Sequence, residues 1–295
     1  MIQVTTFYKF IQIAKSELDN LNRDLSTKAG ELGIRGLLLL GEEGCNATLS
    51  GDPDSIDIFK IFLCGQPQIG ELVFKDSYTD KHPFKRFKID LREEIVTLKD
   101  REALPKKTQN NHLSAALWQE ALESAEEYVL IDTRNFYETE IGLFKGALDL
   151  NLQKFSEFPE KVKQLNIPKE KKVLMYCTGG IRCEKAIIDM QRQGYNNVYQ
   201  LDGGILKYLE EFPNNNFEGE CFVFDHRVAV DQNLNPSKKF KLCPHCGNPA
   251  DIRISCILCA EHAVVCKRCI VEDSLNTCSK NCAYHAKVRN LSASH

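Results

Sequence analysis

The sequence predicts a mixed α/β and α+β protein of several domains, and three observations carry that expectation. Strand and helix patterns over the first 100 residues follow a β-α-β-β-α-β order, strands and helices alternate from about residue 115 to residue 205, and eight of the 13 cysteines crowd into residues 243–282. A chain of 295 residues suits two domains with room for a small third. Hydrophobic residues at 43% and charged residues at 27% are ordinary for a protein with a sizeable core. A net charge of −3, with 17 Gly and 10 Pro, excludes extensive disorder, collagen-like repeats and a uniformly basic coat. The longest apolar runs, such as Leu37 to Leu40, fall far short of the roughly 18–20 residues of a membrane span. The N-terminus lacks the charged start, apolar stretch and cleavage site of a secretory signal. A cytoplasmic protein without a membrane segment is expected. In that reducing compartment its cysteines are ligands or catalysts sooner than disulfides.

In the first unit, residues 1–108, Val4 to Ile11 reads as a strand and Ser16 to Lys28 as a helix closing at Gly30. Ile34 to Leu40 is a continuous apolar run that suits a buried strand. The turn Gly41-Glu-Glu-Gly44 leads to a strand Cys45 to Leu49, and Asp52-Pro53 opens a helix to about Leu63, where proline costs no helical hydrogen bond. Strands follow near Leu72 to Ser77 and Phe87 to Leu98. This order is that of a split βαβ, ferredoxin-like domain. Gln109-Asn-Asn-His-Leu113 reads as a linker opening the second unit, residues 109–220. There Ser114 is placed as the N-cap of a helix Ala115 to Ala125. Val129 to Asp132, Val173 to Tyr176, the helix Glu184 to Gln193 and Val198 to Leu201 then alternate, as in a parallel sheet covered by helices. The third unit, residues 221–295, has too few apolar residues for a core of its own.

Cys177-Thr-Gly-Gly-Ile-Arg-Cys183 lies between an apolar strand and a helix. Glycines in so short a turn let successive backbone N–H groups converge as an anion nest, and the helix N-terminus adds positive potential. Cys177 is therefore expected to be a thiolate nucleophile, cradled by the backbone of Thr178, Gly179, Gly180, Ile181 and Cys183, with Arg182 adding a fixed charge. The plain alternative is a buried structural cysteine beside an incidental glycine turn. The loop is C-x4-R, one residue shorter than the C-x5-R loop that wraps a phosphate in cysteine phosphatases, so a persulfide or another small electrophile suits it better.

With Asp132-Thr-Arg-Asn135, Tyr137-Glu138, Ile141 to Ala147 and Leu201-Asp-Gly-Gly-Ile205, this loop resembles the rhodanese domain. That likeness implies that Asp132 and Arg134 help set the electrostatics of the loop, unless they are only a structural ion pair. The likeness extends further. Cys177 to Lys185, the Glu43-Gly44 turn with Asn46 and Ser50-Gly51, Glu94 to Leu98, and Cys221 to Val230 together resemble the rhodanese-containing tRNA uridine hydroxylase family over about residues 1–235. Cys45 and His226 depart from its pattern. The resemblance implies oxygen-dependent formation of 5-hydroxyuridine at wobble position 34, with molecular oxygen as co-substrate, the tRNA anticodon loop as partner and an electron donor left unidentified.

No flavin or nicotinamide fingerprint is present, and no two-histidine, one-carboxylate iron site is evident among seven histidines. Covalent activation at C6 of uracil by the Cys177 thiolate, or by its persulfide, is the expected chemistry. Cys183 either resolves an oxidised Cys177 or packs. Two alternatives stand beside hydroxylation: sulfur transfer through a Cys177 persulfide, and a zinc-dependent RNA-binding module without catalysis. Lys81, Lys85, Arg86 and Lys88, interleaved with Phe84 and Phe87, form a candidate RNA patch; its plain reading is a charged edge with both rings in the core. In the tail, Cys243-x2-Cys246, Cys256-x2-Cys259, Cys266-x2-Cys269 and Cys278-x3-Cys282 suit one or two zinc sites with His245, His262 or His285 as substitute ligands. Spacing leaves the pairing open.

Overall fold

The computed structural model describes residues 1–105 and 111–289. The first unit contains β1 (Ile2–Phe10), α1 (Lys15–Glu31), β2 (Arg35–Gly41), β3 (Gly44–Gly51), α2 (Pro53–Cys64), β4 (Lys75–Thr79) and β5 (Phe87–Leu91). One sheet runs β4-β1-β3-β2-β5, antiparallel except for β2 and β5. Side-chain alternation gives the sheet two different faces. Phe7, Leu38, Leu40, Ala47 and Leu49 pack with Leu21, Leu25 and Ala29 of α1 and Ile56, Phe59 and Leu63 of α2. On the opposite face the registers align Lys75, Thr6, Thr48, Leu37 and Lys88 in one row, and Tyr8, Asn46, Leu39 and Asp90 in the next.

The second unit contains β6 (His112–Leu113), α3 (Ala115–Glu123), β7 (Tyr128–Asp132), α4 (Phe136–Thr139), β8 (Gly142–Phe144), β9 (Leu148–Asp149), α5 (Phe158–Gln164), β10 (Lys172–Tyr176), α6 (Ile181–Arg192), β11 (Val198–Leu201) and α7 (Gly204–Glu211). Its parallel sheet runs β6-β11-β10-β7-β9. The central strand β10 is buried on both sides. Val173 and Met175 pack with Ile187 and Met190 of α6, while Leu174 and Tyr176 pack with Trp118 of α3 and Ile205 of α7. Ser114 caps α3 as expected, its hydroxyl accepting from the Leu117 N–H at 3.3 Å. After β12 (Phe217–Gly219) come the hairpin β13 (Cys221–Phe222) and β14 (Ala229–Val230), the two ribbons β15 (Lys241–Leu242) with β16 (Pro249–Ala250) and β17 (Ile252–Ser255) with β18 (His262–Val265), and the helices α8 (Lys267–Val271) and α9 (Lys280–Val288).

Three expectations are corrected. The strand expected to reach Leu98 stops at Leu91, because Leu98 belongs to the core of the second unit rather than to the sheet. The segment turns back where the Glu94 carboxylate accepts from the Leu98 and Lys99 N–H groups. In the expected linker, Gln109 and Asn110 lie outside the described residues, but His112 and Leu113 form an edge strand beside β11. Finally, α6 starts at Ile181, three residues earlier than expected, which brings Arg182 and Cys183 into its first turn.

A buried cation sits at the junction of the two sheets. Lys185 of α6, fully buried, donates to Glu43 in the β2–β3 turn and to Glu94 after β5, each at 2.7 Å. Glu43 also accepts from the Ile95 N–H at 2.5 Å. Removing one partner of such a cluster leaves buried charge uncompensated, at a cost of about 3–5 kcal/mol. Lys185→Met should accordingly lower the urea midpoint and expose the junction to protease. Burial pushes the Glu94 carboxyl up, but hydrogen bonds from Lys185 and the Leu98 N–H outweigh it and hold the group below its ordinary value. A carboxyl lowered in the folded state stabilises above its unfolded pKa and loses that contribution as pH falls through the folded value. Limited proteolysis at decreasing pH should cut the junction first in the acid range, and Glu94→Gln should flatten that dependence.

Candidate active site

Cys177 follows β10 directly, at the C-terminal end of the parallel sheet where open α/β folds bind ligands. Its Sγ accepts from the Gly180 N–H at 3.0 Å. Gly180 sits at φ +101°, a left-handed conformation that aims this N–H inward and that other residues rarely adopt. Gly204 permits the close packing behind the loop: a Cβ there would stand 2.5 Å from the Cys177 carbonyl oxygen. Burial pushes the Cys177 thiol up. A hydrogen bond from Cys183, the Arg182 guanidinium and the N–H groups of Arg182 and Gly180 outweigh it and lower the thiol to about 5. Cys183 is pushed the other way by burial and by the neighbouring thiolate, so it stays protonated and donates.

Arg182 is not a free charge in the cradle. It forms a bidentate pair with the buried Glu138, at 2.6 and 2.8 Å, and reaches Thr178 Oγ1 at 3.3 Å. Glu138 is held by a capping box at the start of α4, where its carboxylate accepts from the Asn135 N–H. Asp132 and Arg134 do not line the cleft. They are fully buried and pair with each other at 2.6 Å, while Arg134 also donates to the Gly142 carbonyl and lies over Tyr176 and Phe217. The pair acts locally, fixing the end of β7 against β8.

A cleft of about 500 Å³ opens over Cys177. One wall is the polar face of the first sheet, with Thr6, Tyr8, Leu37, Leu39, Asn46 and Thr48. The hairpin after β13 forms another wall, with Val223, Phe224 and Arg227. Phe224 is 56% exposed and its ring lies 5.8 Å from the Arg182 guanidinium carbon. The hairpin is tied down by Arg227, which pairs with Asp225 and donates to Ser77 Oγ, and by the His226 N–H on the Pro83 carbonyl. Tyr8 donates to Glu184 at 2.9 Å, and Glu184 meets His112 Nε2 at 3.0 Å. Lys75 reaches across from β4 and donates to the Gly179 carbonyl.

Glu138, Glu184 and Phe224 lie within the stretches that carry the family resemblance, although the sequence does not single them out as site residues. Asn135-x-x-Glu138 is also a legible capping pattern. Tyr8 and Lys75 carry no local signal, because fold topology brings them to the loop. Of the candidate RNA residues, Lys81, Lys85 and Arg86 are exposed between β4 and β5, and Lys88 stands on the cleft-side face beside Asp90 at 3.5 Å. Phe87 packs edge-on against Phe59 in the core and is no stacking platform.

The eight tail cysteines form two interleaved tetrads, Cys243/Cys246/Cys266/Cys269 and Cys256/Cys259/Cys278/Cys282, each with its sulfurs within 4.8 Å of one another. Sulfur–sulfur separations of 3.5 Å (Cys246–Cys266), 3.6 Å (Cys259–Cys278), 3.8 Å (Cys259–Cys282) and 3.5 Å (Cys278–Cys282) far exceed a disulfide bond. They match the edge, about 3.8 Å, of a tetrahedron with metal–sulfur bonds of about 2.3 Å. The region can hold a metal ion. The histidines expected as substitutes are outside both tetrads, and His245 is instead buried with its Nε2 at 2.8 Å from the Thr277 carbonyl oxygen.

Fold and loop together define a rhodanese-type domain whose Cys177 loop is roofed by a split βαβ sheet. Family models agree: a UPF0176 acylphosphatase-like domain matches residues 2–95, a rhodanese-like domain residues 115–211 and a rhodanase C-terminal domain residues 218–283. The tRNA uridine(34) hydroxylase of Bdellovibrio bacteriovorus is 51% identical over 283 residues, covering 95% of this chain and 80% of that one. Those of Picosynechococcus sp. and Legionella pneumophila (strain Paris) are 42% and 41% identical, covering 90% and 79% of this chain and 89% and 92% of theirs. The chain belongs to the tRNA uridine(34) hydroxylase family. No helix among the described residues is long and apolar enough to cross a membrane.

The lowered thiol has a direct readout. Alkylation of Cys177 by iodoacetamide, followed on its peptide by mass spectrometry, should reach half its limiting rate well below about pH 8.5, the value for an ordinary thiol. Cys183→Ala removes a donor to the thiolate and should move that midpoint upward.

Proposed function

We propose that this protein hydroxylates uridine 34 of tRNA to 5-hydroxyuridine, with Cys177 as the nucleophile. The observation that carries the reading is a thiolate at the floor of a cleft whose size suits a single extruded nucleotide. Phe224 offers an exposed ring on which the base stacks. Addition of the Cys177 thiolate to C6 of uracil moves the C5=C6 electron pair toward C5 and O4, making C5 nucleophilic. Molecular oxygen supplies one oxygen atom to C5, and a two-electron donor reduces the other to water. Loss of the C5 proton and departure of the thiolate restore the aromatic ring. Cys183, protonated beside Cys177, returns the thiolate to its hydrogen-bonded state after each cycle.

The work is divided among three units: residues 1–108 roof the cleft and carry the RNA-facing lysines, 109–220 hold the reactive loop, and 221–295 close the cleft and fold around metal. Lys81, Lys85, Arg86 and Lys88 meet backbone phosphates flanking the anticodon loop. The two thiolate tetrads hold one structural zinc each, which gives the third unit the folding energy that its scant apolar content withholds. The cytoplasm, where tRNA is found, is the setting this substrate requires.

On purified tRNA with oxygen and a reductant, Cys177→Ser should abolish 5-hydroxyuridine, read by nucleoside mass spectrometry, while tRNA affinity is kept. A thiolated uridine in place of the hydroxylated one would instead establish sulfur transfer. Replacing Lys85 and Arg86 with Ala should weaken tRNA binding and reduce the slope of log affinity against log salt by about 0.7 for each phosphate no longer neutralised. Metal analysis should find two zinc ions per chain, and Cys256→Ser should lower that content and leave residues 241–289 open to protease.

A further inference from the structure

Four cations line the cleft: Lys75, Arg92, Arg182 and Arg227. Arg92 holds Asp90 at 2.6 Å, Arg182 holds Glu138 at 2.6 Å and Arg227 holds Asp225 at 2.6 Å. Among the described residues no carboxylate lies within ion-pair distance of Lys75. Its place is nonetheless built. The sheet register sets it opposite Thr6 on the cleft side, its Nζ donates to the Gly179 carbonyl and lies 5.3 Å from the Tyr8 ring centroid, and its stem passes Gly203, where a Cβ would stand 3.6 Å from Lys75 Cε. Gly179 precedes the residue whose N–H touches the Cys177 sulfur. The ammonium thus stands against the loop that carries the thiolate, and its other N–H donors have no carboxylate to satisfy.

We propose that Lys75 reads position 4 of the pyrimidine, donating from Nζ to the O4 carbonyl of uracil, which both selects uracil over cytosine and stabilises the oxyanion formed when Cys177 adds to C6. The inference rests on the uridine reading above. Uracil presents an acceptor at position 4, whereas cytosine presents an amino donor that would face the ammonium hydrogen to hydrogen. When the S–C6 bond forms, the C5=C6 pair is delocalised onto O4. The sulfur supplies the pair that forms this bond, no oxidant or reductant is required, and a hydrogen bond from the ammonium meets the negative charge where it develops on O4. Burial lowers the proton affinity of this amine against the opposing pull of the Cys177 thiolate, which strengthens it as a donor.

The test uses the full chain and two anticodon stem-loops that differ only in uridine or cytidine at position 34. Each is titrated as a protectant of Cys177 against iodoacetamide, read on the Cys177 peptide, in parallel with 5-hydroxyuridine formation. In the unaltered protein the uridine RNA should protect at roughly tenfold lower concentration, the scale of one hydrogen bond to a charged group. Lys75→Met, checked for an unchanged melting temperature, should abolish that preference, and Lys75→Arg should keep part of it. An undiminished preference in Lys75→Met, or equal weakening for both RNAs as a lysine bound to phosphate would give, overturns the assignment. A uridine preference that depends on Lys75 without any 5-hydroxyuridine formed would sink the hydroxylation reading and leave Lys75 standing. Protection by neither RNA overturns both.

Discussion

The arrangement of this protein turns on a single ammonium group out of contact with water. Lys185 has no solvent to face and two carboxylates to face instead, both supplied by the first unit. A buried cation cannot drift from its partners without leaving charge uncompensated, so it constrains the distance between the two sheets. Because Lys185 lies in the helix that follows the Cys177 loop, the same junction holds the first sheet over Cys177. The early residues of this helix divide the labour by helical periodicity. Arg182 turns to Glu138, Cys183 to the thiolate, Glu184 to Tyr8 and His112, and Lys185 to the roof. Shifting the helix register by one residue would misdirect all four.

Several of the groups that stabilise the thiolate carry no formal charge. Beside the Arg182 guanidinium, which Glu138 matches, stand two backbone N–H groups and the Cys183 thiol at the start of α6. Dipoles fixed by the fold need no rearrangement when charge moves from sulfur to a bound ring, which is the circumstance in which such preorganisation favours reaction. The position of Glu138 also explains why Phe224 can lie against Arg182: a guanidinium already neutralised is easier to cover with an apolar ring than a bare one.

Much of this is legible in the residues. The order of elements in the first unit, the parallel alternation of the second, the Ser114 cap and the glycine turn after Cys177 all follow from local patterning, where a few neighbouring side chains decide the outcome. Local pattern misleads where distant partners decide. Ile95 and Leu98 look like a strand, yet Leu98 is apolar because it meets the neighbouring core, and His112 looks like linker because its strand is two residues long. Arg182 and Arg134 both read as charges for the loop, although each is matched by a carboxylate, one from α4 and one two residues away. Lys75 has no signature among 38 basic residues. In the tail, spacing shows the cysteine pairs but not which pairs share a tetrad, since that depends on how the ribbons fold back.

The interleaving of the tail sulfurs has a topological consequence. The halves of the first tetrad, Cys243/Cys246 and Cys266/Cys269, flank Cys256 and Cys259, so bringing that tetrad together closes a loop that carries half of the second. The second tetrad, closed through Cys278 and Cys282, in turn encloses Cys266 and Cys269. Each set of donors thus rides on a loop fastened by the other, and slackening either one loosens both.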